Sequence, residues 1–473
     1  IFHLYPLKRL SSHLSLFLQQ NFYFVFFLNY VRLNINMYAI IFHIIDGGRL
    51  VVNMKDIIKL TSKPHIVKYK NTGKIKIILT YCTKYDKKYI FYLILMRQII
   101  LNSSYKYKTE KEYKKAYRTF MLIAEDLAVR KLKNNLFITF TLVIPNPKKV
   151  KSFDIDKAFK FFIDTIYKPN VVDNKHFNDK VFEREREFLK NDIVYSLKNV
   201  YSQSYQKFVN IVDDDGMLKD NIYNNMDMID SANSEELYNI YKNIVIDNVP
   251  VVIVYGDVDK SINDVIYKNM NLPVKTIDIE YDYDNFLKPF EKTKDVTDDT
   301  EFNQSVLYTA YKIKNATKKD KNCLNIIKNI LGSGSDSLLF KKLRLESGFV
   351  YSCKAWTNDR AGLLVIESYV NNDCKDKVVE CLQDIFKSLK NKKFLQENIN
   401  RVAKKVQYSL IRDKDNINKK LNDFVNKLLK FGPNVEELFT IYKNMKVEEL
   451  LEFLDRLTLD TIYFSRGEFN EKN

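Results

Sequence analysis

Two distant stretches of this chain end in the same way. Ser234 can cap a helix whose first turn holds Glu235 and Glu236, and that pattern leads into the apolar run 249–255 (VPVVIVY) and then Gly256-Asp257. At the far end, a helical pattern at 447–456 leads into a strand at 461–465 and then Gly467. The two glycines lie 211 positions apart, close to half of the 420 residues that run from 54 to 473. A chain that repeats its order of elements at half its length is a duplicated domain. The expected fold class is α+β: two duplicated domains of roughly 210 residues, each a mostly antiparallel sheet with helices packed on one face.

The intervening pattern agrees. Ile75, Ile77, Leu79 and Tyr81 alternate with less apolar neighbours after the Asn71-Thr72-Gly73 turn, which predicts a strand. Residues 88–101 are too apolar for a surface helix and read as a buried one. A strand at 136–144 stops at Pro145 and Pro147, and helices follow at 154–167 and from Asn178. The second half repeats this with a strand at 306–313, a helix at 319–331, a hairpin of 349–356 with 363–370, and helices at 376–389 and 396–411. Gly432-Pro433 closes a further helix. The proline-containing, mostly acidic stretch 279–300 reads as a linker between a first domain at 54–278 and a second at 301–473.

Residues 1–53 differ from the rest. Their aromatic runs are interrupted at Gln19, Gln20 and Asn21, which weakens a membrane anchor, and no small-residue cleavage site suggests a signal peptide. The chain starts at Ile1, and Gly47-Gly48-Arg49 shortly precedes Met54, so the segment is expected to be translated upstream sequence with Met54 as the true start. Without it the net charge falls from +17 to +14. Lys is spread among Asn, Ile and Tyr with no compact basic block, so the charge reads as a solvated surface; neither a nucleic-acid partner nor a membrane is expected. The cysteines (Cys82, Cys323, Cys353, Cys374 and Cys381) are odd in number and form no C-x-x-C pair. That fits a reducing compartment, and the expected location is cytoplasmic.

Histidine is scarcer still. Beyond residue 53 only His65 and His176 remain, 111 positions apart, which excludes any local two-histidine metal motif.

The segment 329–355 (NILGSGSDSLLFKKLRLESGFVYSCKA) contains a glycine-rich turn at Gly332 and Gly334, then Ser337-Leu338-Leu339-Phe340 with Leu343-Arg344, then Gly348-Phe349-Val350-Tyr351-Ser352. It resembles the insulinase (pitrilysin) family of inverted-motif zinc peptidases, in its half-size bacterial and mitochondrial processing-peptidase branch. Tyr255-Gly256-Asp257-Val258 and the closing strand at 459–464 resemble it too. The likeness covers residues 54–473 and is stronger in the second half.

Active members of that family carry H-x-x-E-H on an early helix and a distal Glu ligand. This chain has no such motif. At the matching place, 88–101, it offers Met96-Arg97-Gln98, and the acidic run 182–187 (FEREREF without its last residue) sits where the distal Glu would fall and reads as a charged helix face. The resemblance therefore implies a chain that is not a peptidase by itself and holds no metal or other cofactor. It also implies that Arg344 and Tyr351, seven positions apart, contact a substrate backbone in trans, that Gly332 and Gly334 guide the peptide, and that zinc sits in a homologous partner bearing H-x-x-E-H. The alternative is a structural or peptide-binding scaffold of the same fold.

Overall fold

The computed structural model describes residues 56–468, except 71, 133, 174, 214, 215, 217, 219–225, 282–285, 333, 414, 415 and 430–432. The expected extension 1–53 and the Gly432 helix stop lie outside the described residues. Those described form two compact units. One holds the residues up to 197 together with 220–283; the other holds 198–219 and the chain from 284 onward.

The first-half unit contains β1 (Asp56–Thr61), β2 (His65–Lys68), β3 (Lys74–Lys84), α1 (Lys87–Ile100), α2 (Glu110–Thr119), β4 (Ala124–Leu132), β5 (Asn135–Pro145), α3 (Ile155–Tyr167), the short pair β6 (Val171–Val172) and β7 (His176–Phe177), and α4 (Asp179–Leu197). After α5 (Val200–Val212), which belongs to the other unit, come α6 (Met226–Asp230), α7 (Ser234–Tyr241), β8 (Val251–Gly256), α8 (Ile262–Met270) and β9 (Thr276–Tyr281). The main sheet runs β2-β8-β3-β5-β4. Only β2 and β8 pair in parallel. The alternation of Ile75, Ile77, Leu79 and Tyr81 places all four on one face, in a core with Phe91, Leu95, Met96 and Ile99 of α1 and Phe159, Phe162 and Ile166 of α3. Thr109 and Glu112 close a reciprocal capping box at the start of α2.

The second-half unit adds β10 (Lys294–Thr300), β11 (Ser305–Ile313), α9 (Asp320–Gly332), a π-helical turn at Phe340–Glu346, β12 (Val350–Asn358) and β13 (Leu363–Val370). It continues through α10 (Lys375–Leu389), α11 (Lys392–Arg412), α12 (Ile417–Leu428), α13 (Val435–Asn444), α14 (Val447–Arg456) and β14 (Leu457–Gly467). Its sheet runs β10-β14-β11-β13-β12, again with one parallel pair, β10 with β14. The order matches the first sheet strand for strand, so the α+β fold with duplicated domains holds. Gly256 and Gly467 each end the last strand, in chain order, of a five-stranded sheet: β8 and β14. A β-carbon on Gly467 would lie 2.5 Å from the Phe302 carbonyl oxygen, which only glycine tolerates.

The stretch 279–300 is more ordered than a linker. Its start completes β9, which pairs antiparallel with β1, and its end is β10. Three of the acidic residues in this stretch sit on the edge strand β10: Asp295 pairs with Lys375 (2.6 Å), Asp298 with Lys207 (3.5 Å) and Asp299 with Arg466 (2.5 Å). Carboxylates depress strand propensity in a sequence reading, but here Asp295 and Asp299 share the exposed face, and Asp298, on the opposite face, accepts from the Tyr463 hydroxyl at 3.3 Å.

The second sheet also carries a helix on its other face. Phe208, Val209 and Val212 of α5 pack on Val306, Tyr308, Trp356, Val365 and Tyr463, with the Phe208 ring stacked 4.7 Å from that of Tyr308. Between Ala310 and Tyr311 the β11–β14 register breaks, and Asp460 occupies the break. Its carboxylate meets Lys312 at 3.0 Å with both side chains almost wholly buried (0% and 2% exposed), and accepts the Phe290 N–H at 2.7 Å. The Lys312 ammonium also lies 3.8 Å from the centroid of the Phe290 ring. No helix among the described residues is long and apolar enough to cross a membrane.

Candidate functional site

Leu338, Leu339 and Leu343 turn into the second-half core, and that spacing leaves Arg344 and Leu345 facing out. The π-helical turn closes with the Ser347 N–H on the Lys342 carbonyl (3.1 Å) and the Phe349 N–H on that of Leu343 (3.0 Å). Gly348 between them takes φ +65°, a left-handed value that suits glycine. The chain then enters β12, the edge strand of its sheet. Val350 pairs with Val370 and Ser352 with Tyr369, so Tyr351 is the extra residue of a β-bulge.

The bulge directs Tyr351 outward, where it is 77% exposed. The Arg344 guanidinium carbon lies 5.9 Å from the Tyr351 ring centroid and 5.3 Å from that of Phe340. The structure thus brings together the two residues that the seven-residue spacing singled out. Cys353, on the same strand, has its thiol pushed up to about 11 by burial, with Arg344 opposing, and is no nucleophile at neutral pH.

The two glycines have different tasks. Gly332 ends α9 against β12: a β-carbon there would lie 2.3 Å from the Ala355 backbone nitrogen. Gly334 adopts φ +98° in the turn that follows. Asp336 ties this turn to α11, accepting from Arg401 at 2.8 Å and Lys405 at 2.9 Å. Burial alone would raise the Asp336 carboxyl, but these two cations outweigh it and bring it down to about 2.

In the first half, the helix that would host the metal motif is core. Phe91, Tyr92, Leu93, Leu95, Met96, Ile99 and Ile100 of α1 are buried, and Arg97 reaches Asp126 at 2.8 Å. Helix α4, with its acidic run, packs against α1. Glu183 pairs with Arg186 (2.5 Å), as a charged helix face would. Glu185 instead is buried; burial pushes its carboxyl up, and Arg184, at 2.6 Å, opposes this. His65 lies on β2 and His176 on β7, where Nδ1 is 3.0 Å from the Phe177 carbonyl oxygen. A zinc ion does not fit this donor set, which offers no paired imidazoles. Among the described residues no three of His, Cys, Asp and Glu are grouped to hold a metal ion.

Sequence reasoning missed one titratable group. Glu125, on edge strand β4, has its carboxyl pushed up to about 8 by burial, while the Tyr113 hydroxyl, donating at 2.9 Å, partly offsets this. Nothing in the local sequence flags it, because Tyr113 comes from a different element.

The duplicated α+β chain thus sets an exposed Arg-Tyr pair in one half and a filled core at the place of the expected metal motif in the other. Comparison with known proteins agrees. Residues 231–406 match the family profile described as the Peptidase M16 inactive domain. The probable inactive metalloprotease YmfF of Bacillus subtilis is 23% identical over 345 residues, covering 70% of this chain and 78% of that protein. Among solved structures, a conserved protein from Enterococcus faecalis V583 shares 15% identity with a TM-score of 0.71, over 87% of this chain and 99% of that one. A peptidase M16 inactive domain from Pseudomonas fluorescens shares 14% identity with a TM-score of 0.61, over 88% and 99%. These likenesses support an inactive, half-size member of the insulinase (peptidase M16) family.

Proposed function

We propose that this chain is the non-catalytic subunit of a heterodimeric zinc peptidase. Its partner, a homologue bearing H-x-x-E-H, supplies the zinc and the general base. This chain binds an extended peptide and presents Arg344 and Tyr351 to it in trans. The observation that supports this reading is the bulge: an edge strand, the kind of surface to which a peptide adds as a further strand, that turns a tyrosine hydroxyl out beside a guanidinium. Arginine offers a fixed fork of donors for a peptide carbonyl. The tyrosine hydroxyl can hydrogen-bond the oxyanion that develops during attack. The proposed setting is the cytoplasm, which the odd number of cysteines supports.

The test is reconstitution. The purified chain is mixed with a zinc-bearing homologue, and peptide hydrolysis is followed with Arg344→Ala and Tyr351→Phe. Loss of an oxyanion donor is expected to lower kcat by ~100-fold. Unchanged turnover in both variants overturns the reading; if the two chains still assemble, the protein is a scaffold.

A further inference from the structure

A cavity of about 320 Å³ opens in the first-half unit, between the C-terminal end of α3 and the end of α7. Four tyrosines line it: Tyr105, Tyr167, Tyr238 and Tyr241. Two of their hydroxyls are already engaged within the protein. Tyr167 shares a 2.5 Å hydrogen bond with Tyr81, and Tyr241 donates to the Ile166 carbonyl at 2.8 Å. Phe177 stands edge-on behind Tyr238 and Tyr241, with ring centroids 6.1 and 5.6 Å away, and holds that wall. Four rings in one lining offer a ligand mostly ring surface, which favours a flat apolar group.

The rim adds charge. The Lys168 ammonium lies 5.4 Å from the Tyr105 ring centroid, and the Tyr105 N–H donates to the Lys168 carbonyl at 3.0 Å. The carboxylate nearest that ammonium, Asp164, is shared: it meets Lys168 at 3.0 Å and Lys160 at 3.4 Å. Among the residues that line the cavity, Lys168 is the one charged side chain. The volume lies at the lower end of small-molecule sites, enough for one ring-bearing residue.

We infer that this cavity binds an aromatic carboxylate of amino-acid size, its ring against the tyrosines and its carboxylate on Lys168. The inference does not depend on Arg344 or Tyr351, which lie in the other unit.

The test is calorimetric titration of the full chain with N-acetyl-L-phenylalanine, its uncharged amide, and phenethylamine. The acid is expected to bind about tenfold more tightly than the amide, the usual effect of one charge-assisted hydrogen bond. The amine should bind more weakly still. Lys168→Met should remove the preference for acid over amide while amide binding stays the same; Lys168→Arg should keep it. Ile246→Trp, at the exposed mouth, should block all three probes. A peptide ending in Phe with a free carboxylate that binds more tightly than the N-acetyl acid identifies a chain end as the source, and equal binding identifies the free acid. Equal affinity for acid and amide, an unchanged preference in Lys168→Met, or no binding in the native protein whose circular dichroism is intact overturns the inference.

Discussion

The second residue of the third strand of each main sheet, in chain order, has opposite fates in the two halves. In β4 it is Glu125, in β12 it is Tyr351, and both strands are the outer edge of sheets with the same order. β4 pairs with β5 in unbroken register, Ala124 with Val143 and Glu125 with Leu142, and Glu125 folds inward beneath Tyr113. β12 carries the bulge, and Tyr351 stands in solvent beside Arg344. Because side chains alternate along a strand, one inserted residue decides which face a group takes. The halves also differ in their central pairing: β3 and β8 run without a break from Lys76–Tyr255 to Thr80–Val251, whereas β11 and β14 break around Asp460. The same topology thus reads as regular and inward in one copy, irregular and outward in the other.

If the second sheet depends on its irregularity, Asp460→Ala should cost about 3–5 kcal/mol in urea unfolding, because it leaves Lys312 charged and unpaired in the core. Combining Asp460→Leu with Lys312→Met should recover most of that loss. An Asp460→Ala protein as stable as the parent would show that the break is incidental.

The inward fate of Glu125 predicts a pH effect of the other kind. With its folded-state carboxyl raised to about 8, the native state retains a proton that the unfolded chain releases. The stability it confers is full below pH ~4.5 and is lost as pH rises through about 8. Glu125→Gln should flatten this decline, with a melting temperature above the parent's at pH 9 and no advantage at pH 4.

Gly332→Ala tests the close approach of α9 to β12 and should cost about 1–3 kcal/mol, as overpacking does, measured as a lower melting temperature. The smallest effect belongs to Asp336→Asn: less than about 1 kcal/mol at pH 7, since the ion pairs are partly exposed. The Asp336 carboxyl is held down at about 2, so its contribution is present above pH ~3.8 and fades as pH falls toward 2. The gap between parent and variant should close over that range.

The order of elements was legible because apolar alternation and helix ends are local signals. The pairing of Arg344 with Tyr351 followed from their spacing within one recognisable motif. What was not legible is non-local. The pattern of α5, with Tyr205, Phe208 and Val212, announces a buried face but not which sheet it will cover, and its neighbours in sequence, such as Phe182 and Ile193, belong to the other unit. The strand character of 294–300 depends on β14, more than 150 residues away, which pays for an acidic edge that local propensity argues against. The bulge at Tyr351 is likewise a relation between two strands.

The placement of α5 also sets an order of events during synthesis. Residues 200–212 leave the ribosome long before strands 305–313, 350–358 and 363–370 exist. Until those strands are made, Phe208 and Val212 have no sheet to cover, and the nascent chain carries an adhesive apolar helix through the whole translation of its second half. A chain cut at residue 284 would therefore strand α5 on one fragment and the sheet face it covers on the other, while the core beneath each sheet stays within its own fragment.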